Sequence, residues 1–271
     1  MQALQTIWLF DNSLTGAIPE DIANMPNLIT FDAIGNGLEG PLPTFFANMA
    51  SLEVLFLGEN SFSGAIPAEY GNFPNLQQLN LEFNGLNGDI PGALGALDLV
   101  VLRLGGNDFT AGPIPTFVYS MNNLQDLRME SSGRNGNIDP SIGNLVNLQT
   151  LALENNVLTD VVPTEISSCT GLISLTLNDN FLSGDVTPVT TLTQLQTLRL
   201  SNNQLGGELP AALGDLVELR VLELQQNNFA GEVPGSLSNL VNLGTYQRCI
   251  FYSWIVCTPT ISFSYRGTRL E

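Results

Sequence analysis

The chain has 271 residues, of which 26 are acidic and 8 basic, with no histidine and a formal charge of -18. All eight basic residues are arginine, so lysine is absent as well. This excludes tight binding to a nucleic-acid backbone or an anionic membrane face, which need clustered positive charge. It also excludes Ser-His-Asp or Cys-His catalysis, a Walker phosphate loop and Schiff-base chemistry, which need histidine or lysine. Cys169, Cys249 and Cys257 make neither a disulfide framework nor a zinc ligand set, so no metal and no cofactor are expected.

Met1 to Trp8 carries no basic segment followed by a long apolar run, so no signal peptide is expected here. A cell-surface or extracellular location would require one. From Leu4 onward a single pattern takes over. Leucines recur at 4, 28, 52, 76, 99, 124, 148, 172, 195, 219 and 243, at intervals of 23 to 25 residues. Repeat three shows the unit whole, as Leu52, Leu55, Leu57, Asn60, Phe62, Gly64, Ile66 and Pro67. Such a period marks a stacked repeat architecture.

Within each unit, apolar residues at alternate positions, such as Leu55 and Leu57, predict a short strand with one face buried. The Asn that follows (12, 36, 60, 84, 107, 156, 180, 203 and 227) falls where the chain turns inward, and its amide can satisfy backbone groups there. A glycine column and then a proline column predict a turn and an extended return path. Later repeats depart from the pattern. Repeat five inserts a residue in Thr110-Ala-Gly-Pro-Ile-Pro, and repeat six carries Ser132, Arg134 and Asp139 at the Asn, Leu and Pro positions. Repeat seven has Asp160 for glycine and repeat eight Thr187 for proline. A local bulge near residues 108–139 is expected, with sequence drift the simpler explanation for it.

The chain resembles the leucine-rich-repeat family, and its G-x-I-P continuation resembles the plant-type subclass, over residues 4 to about 243. The resemblance implies an α/β fold. It would be a right-handed, curved solenoid of about ten repeats with a parallel β-sheet on its concave face. Plant-type repeats build receptor-like kinases, receptor-like proteins and inhibitors of cell-wall pectin hydrolases. The domains expected are a solenoid over residues 1–243 and a non-repeat tail over 244–271.

Residues between the leucines point out of the sheet and form columns. One reads Trp8, Asp32, Phe56, Asn80, Arg103, Arg128, Ala152, Thr176, Arg199 and Glu223. The next reads Phe10, Ile34, Gly58, Glu82, Gly105, Glu130, Glu154, Asn178, Ser201 and Gln225. The first repeats thus expose aromatics among acids, which are either interface anchors or apolar side chains that further chain at this end would cover. The middle repeats carry arginines that either clamp a carboxylate or peptide terminus or neutralise neighbouring acids. The candidate ligand contacts are Trp8, Phe56, Arg103, Arg128, Glu130 and Arg199. A third column, with Thr6, Thr30, Thr150, Ser174 and Thr197, has the Thr rows of an ice-binding surface. Gln78 and Asp126 interrupt it, and β-branched residues are favoured in strands in any case.

Gly35-Asn-Gly-Leu-Glu-Gly40 matches a dinucleotide fingerprint, but Asn36 and Gly40 belong to the repeat columns. Glu130 and Glu154 share a column on neighbouring strands, at a separation that would suit a retaining glycosidase; a solvated acidic ladder is the simpler reading. The tail is distinct. Residues 1–243 hold 25 acids and 5 arginines, whereas 244–271 hold 1 acid and 3 arginines. Its uncharged run 249–265 is shorter than the roughly 20 residues of a membrane span, and Pro259 lies inside it. A cap with a Cys249–Cys257 disulfide, a short apolar membrane span and an artefactual terminus are the three readings of this tail.

The expected function is a non-catalytic recognition module, as in receptor-like proteins, with a protein, peptide or polysaccharide partner. Inhibition of a secreted hydrolase is the alternative within the binding class, and a carboxylate-dependent enzyme the alternative outside it.

Overall fold

The structure is a computed structural model that describes residues 3–244. The three readings of the tail, including the Cys249–Cys257 pair, lie outside the described residues. Ten three-residue strands, from Thr6–Trp8 to Val221–Glu223, form one parallel sheet in strict chain order. Its register is the repeat itself: Trp8 pairs with Asp32, Asp32 with Phe56, Phe56 with Asn80, Asn80 with Arg103, and Arg103 with Arg128. Strands about 4.8 Å apart make this face on the order of 45 Å long.

Behind the sheet, the repeat leucines stack into a continuous core. Leu28, Leu52, Leu99, Leu124, Leu148, Leu172, Leu195 and Leu219 are fully buried, whereas Leu4 at the end of the stack is 41% exposed. Each interior leucine contributes about 1.5–3 kcal/mol relative to an exposed one. A stack of this kind leaves its end layers uncovered because every repeat buries its face only against neighbours.

The helical layer consists of short 3-10 segments such as Glu20–Asn24, Ala68–Asn72 and Ala211–Asp215. The column prolines stand at their entrances in extended conformation, with φ -60° at Pro67 and -68° at Pro210. The helices close with i to i-3 bonds, as in Ile22 N–H to the Pro19 carbonyl. Where Asp139 replaces proline, its carboxylate accepts from the Ser141 N–H at 2.8 Å and caps the segment instead.

The asparagine column stitches the repeats together. The Asn107 amide donates to the carbonyls of Leu81, in the previous repeat, and of Leu104 and Gly105, while its oxygen accepts from the Leu86 N–H. The same four-bond pattern recurs at Asn36, Asn60, Asn84, Asn180, Asn203 and Asn227. The residue just before the Asn takes a left-handed conformation, even as Phe83 (φ +51°) or Gln226 (φ +57°). The glycine column is left-handed too except at Gly112 in repeat five, and Asp160 adopts φ +64° where it replaces glycine.

A second line of short strands runs beside the first and is broken. Five strands pair from Thr15–Gly16 to Asp108–Phe109, then two, then three, with single bridges at Gly112–Arg134 and Val161–Ser183. The first break coincides with the expected bulge. Arg134, in the leucine column, is only 3% exposed. Its guanidinium donates to the carbonyls of Thr110 (2.6 Å), Ser132 (2.8 Å) and Pro113 (3.3 Å). The inserted residue in repeat five and the arginine in repeat six are therefore one coupled feature, not independent drift. Burial lowers the Arg134 pKa, since its hydrogen-bond partners here are neutral carbonyls. Among the described residues no helix is long and apolar enough to cross a membrane.

Candidate functional site

The ten-stranded face is where the outward columns lie, and it has two chemically different zones. At its start Trp8 is 70% exposed, next to Asp32 and then Phe56 along one row of strand pairs. Phe10 and Phe83 are also exposed, and the Phe83 ring lies over Gly106, where a methyl group would collide with it. Asp32 is half-buried between the aromatics, and burial raises its pKa although the Ile34 N–H stabilises its charge.

The centre of the face is ionic. Arg103 donates to one oxygen of Asp126 through Nε (3.0 Å) and Nη2 (2.7 Å), and Arg128 donates through Nε to the other oxygen at 2.9 Å. Asp126 thus holds both arginines, which favours the self-neutralising arrangement over a pair of free cations. Neither arginine was recognisable from the sequence as sharing a single acid, because Asp126 falls in a different outward column. Arg199 stands apart, 3.3 Å from Glu223 and with 45% of its side chain exposed. The six candidate contacts therefore fall into an aromatic pair, a central trio and one peripheral arginine.

Beside the arginines lie Glu82, Gly105, Glu130 and Glu154 in successive positions of one column. Glu130 leans over Gly105, so that a methyl group there would collide with its carboxyl group. A similar device appears two repeats earlier, where the Asn80 oxygen occupies the space above Gly58. Glu82 and Glu130 are 7% and 9% exposed, and each keeps one buried carboxylate oxygen with no hydrogen-bond partner. Leaving a buried polar atom unpaired costs about 1–3 kcal/mol, more when it is charged. The Glu130 pKa is accordingly pushed up to about 7, first by burial and then by the charges of Glu82 and Glu154, with Arg128 opposing. Burial raises that of Glu82 also, against the pull of Arg103 and Arg128. Glu154 accepts a hydrogen bond from the Thr176 hydroxyl at 2.6 Å.

Sequence reasoning singled out Glu130 but not Glu82, Asp126 or Gly105. The available signal was a glycine flanked by two glutamates in one outward column, which leaves room for carboxylates to lie flat. The Glu130–Glu154 pair stands on an open sheet, with Glu154 bonded to Thr176. Among the described residues, no group of three or more His, Cys, Asp or Glu is placed to hold a metal ion.

A repeat-built parallel sheet with an asparagine ladder and a leucine core defines the leucine-rich-repeat class of protein. Leucine-rich-repeat family profiles match residues 3–25, 35–86, 194–216 and 218–240. The chain belongs to this family, in its plant-type branch.

Its likeness to solved structures is extensive. A TDR receptor shares 35% identity with a TM-score of 0.84 over 89% of this chain and 42% of that one. The Arabidopsis receptor kinase HAESA, in complex with the peptide hormone IDA and a co-receptor, shares 32% with a TM-score of 0.85 over 89% of this chain and 41% of that one. A plant ice-binding protein shares 26% with a TM-score of 0.65 over 86% of this chain and 77% of that one. The chain thus spans about two fifths of the length of the two receptors. No curated protein sequence matches it.

Proposed function

We propose that the chain is a non-catalytic recognition module that takes an extended peptide or protein segment along its ten-stranded face, as part of a receptor-like protein. The observation that carries this reading is the change of chemistry along one continuous face, from exposed Trp8 and half-buried Phe56 to the Arg103–Asp126–Arg128 cluster and Glu130. An extended ligand lying across the strands would meet an aromatic anchor first and a polar, orienting cluster next. Aromatic side chains supply contact area at low entropic cost, and charged groups set register. The solved complex of HAESA with a peptide hormone supports a peptide as the partner. Arg199 marks the far limit of the contact surface in this reading.

The test is selection of a random dodecapeptide library on the purified chain. Binders should lose ten-fold or more in affinity on a Trp8→Ala/Phe56→Ala double variant, the loss expected of anchor residues. Binders that tolerate that variant and also Arg103→Ala/Arg128→Ala would overturn the reading. Inhibition of a secreted wall hydrolase would appear in a direct hydrolase assay, and binding of a wall polysaccharide in a pull-down on that polymer.

Ice recognition is the second reading, favoured by the likeness to a plant ice-binding protein and by Thr150, Ser174 and Thr197 standing in register on adjacent strands. Asp126 sits in that same row and carries two arginines, which breaks the regular array of hydroxyl and methyl groups. Thermal hysteresis of a dilute solution decides it, and its absence removes this reading.

A further inference from the structure

We propose that the Glu82–Gly105–Glu130 stretch is a receptor site for one basic side chain of the partner, a guanidinium or ammonium group taken up by the carboxylates of Glu82 and Glu130 beside Gly105. This rests on the reading of the face as a peptide-binding surface and names the chemistry it selects there.

Three observations converge on a cation. The arginines nearest this stretch are already engaged, since Arg103 and Arg128 both donate to Asp126. The acids are in excess, with Glu82, Glu130 and Glu154 standing beside a cluster of two arginines and one aspartate. Finally, Glu82 and Glu130 are more than nine-tenths buried, yet each retains an unpartnered carboxylate oxygen. Buried acceptors without donors are what a bound donor would satisfy. A guanidinium supplies five N–H groups in a planar fork, and an ammonium supplies three.

Gly105 makes the geometry available. It lies between Glu82 and Glu130 in the column, and its missing side chain is the space into which the Glu130 carboxyl group leans. Rotation of the glutamates away from Gly105 would expose both free oxygens to an incoming cation. The groups facing Glu130 are Arg128 and Asp126 on its own strand, Arg103 on the preceding one, Glu154 on the following one, and Glu82 beyond Gly105. An added cation would offset the repulsion among the three glutamates and release any proton that Glu130 holds. Affinity for a basic group is therefore expected to rise with pH up to about 7, the value at which the free site ionises.

The experiment has two arms. Dodecapeptides selected on the ten-stranded face should contain an essential Arg or Lys. Replacing that residue by citrulline or by norleucine should weaken binding ten-fold or more to the wild-type chain but not to Glu82→Gln/Glu130→Gln. Selected peptides that bind the face and need no basic residue would overturn the proposal and leave the broader function standing. In the second arm, arginine amide is titrated into chain carrying 13C-labelled glutamate carboxyl groups. Movement of the Glu130 resonance and a lowered titration midpoint support the proposal, and no change at millimolar probe overturns it, whether or not any peptide was selected. Gly105→Ala serves as the variant that keeps both acids. Its methyl group displaces the end of a flexible side chain rather than the backbone, so the fold should survive; with the Glu130 carboxyl group driven off the glycine the response to arginine amide should persist or strengthen, and its loss would overturn the proposal.

Discussion

Repeats two to four and repeats five to six solve the same physical problem with different side chains. In the regular stretch, Asn36, Asn60 and Asn84 each donate to inward-facing carbonyls of two adjacent repeats, and the second strand line runs without a break. In repeats five and six an extra residue pushes the backbone outward, and Ser132, whose hydroxyl reaches the Met129 carbonyl at 2.6 Å, is too short to span two repeats as the amide does. Arg134 supplies N–H groups to a different set, the carbonyls of Thr110, Pro113 and Ser132 further along the turn. Both stretches need donors for inward carbonyls, which an amide supplies in one and a guanidinium in the other. The arginine brings a buried charge with it, which the amide does not.

The largest effect should come from the regular device. Asn107→Leu keeps the volume but leaves the Leu86 N–H and the Leu104 carbonyl without this partner and takes one of two amide donors, the other being Asn84, from the Leu81 carbonyl. Several orphaned groups at about 1 kcal/mol or more each predict a loss of roughly 3–4 kcal/mol. Because repeats are coupled mainly to their neighbours, the loss should split the urea transition followed by circular dichroism rather than only shift it.

Arg134→Met should cost less, about 2–3 kcal/mol, because it removes the donors together with a buried charge whose desolvation is itself unfavourable. The decisive variant repairs the region instead, with Ala111 deleted and Ser132→Asn and Arg134→Leu introduced together. If the two stretches are alternative solutions to one problem, this triple change should match or exceed the wild-type midpoint in urea. A repaired chain as unstable as Arg134→Met would show that the arginine has a role beyond feeding the carbonyls.

How far the sequence announces all this differs between backbone and surface. The columns fix the register directly, since Leu55 can pair only with Leu79 once the leucines stack. They also place Trp8, Phe56, Arg103 and Arg128 in a single row. Periodicity says nothing about where a long side chain turns once it leaves the sheet. That Arg103 and Arg128 both reach Asp126, and that Glu130 folds over Gly105, depends on side-chain rotamers across columns. The bulge was legible at residues 108–139, but the pairing of its insertion with Arg134 was not, because a charged residue in a core column reads as a defect until its three carbonyl partners are seen.

The central acids give a contrast in pH response. Glu130 titrates near 7 in the folded chain, against the ordinary 4.5 of an unfolded glutamate. The folded state therefore holds the proton more tightly, and this contribution is fully present below pH 4.5 and lost as pH rises towards 7. At 1.36 kcal/mol per pKa unit the full shift corresponds to about 3 kcal/mol, less what solvent screening removes from a partly exposed group. Glu130→Gln should flatten that part of the stability profile and raise the stability at pH 7. An unchanged slope in the variant would assign the effect to the other raised acids, Glu82 and Asp32.

The smallest effect belongs to the edge of the same face. Arg199 and Glu223 form a single contact at 3.3 Å, with 45% and 23% of their side chains exposed, whereas Asp126 is 14% exposed and accepts from two arginines. Exposed pairs contribute about 0–1 kcal/mol because water screens them and two long side chains must be ordered. Arg199→Ala should therefore shift the urea midpoint by less than about 0.5 kcal/mol, and the shift should vanish in high salt. Asp126→Asn should cost more and keep most of its effect in salt, since it leaves two guanidinium groups beside raised carboxylates without their shared anion. Equal costs for the two changes would mean that the central cluster is as solvated as the edge. Glu130 would then have no reason to hold its proton near neutral pH.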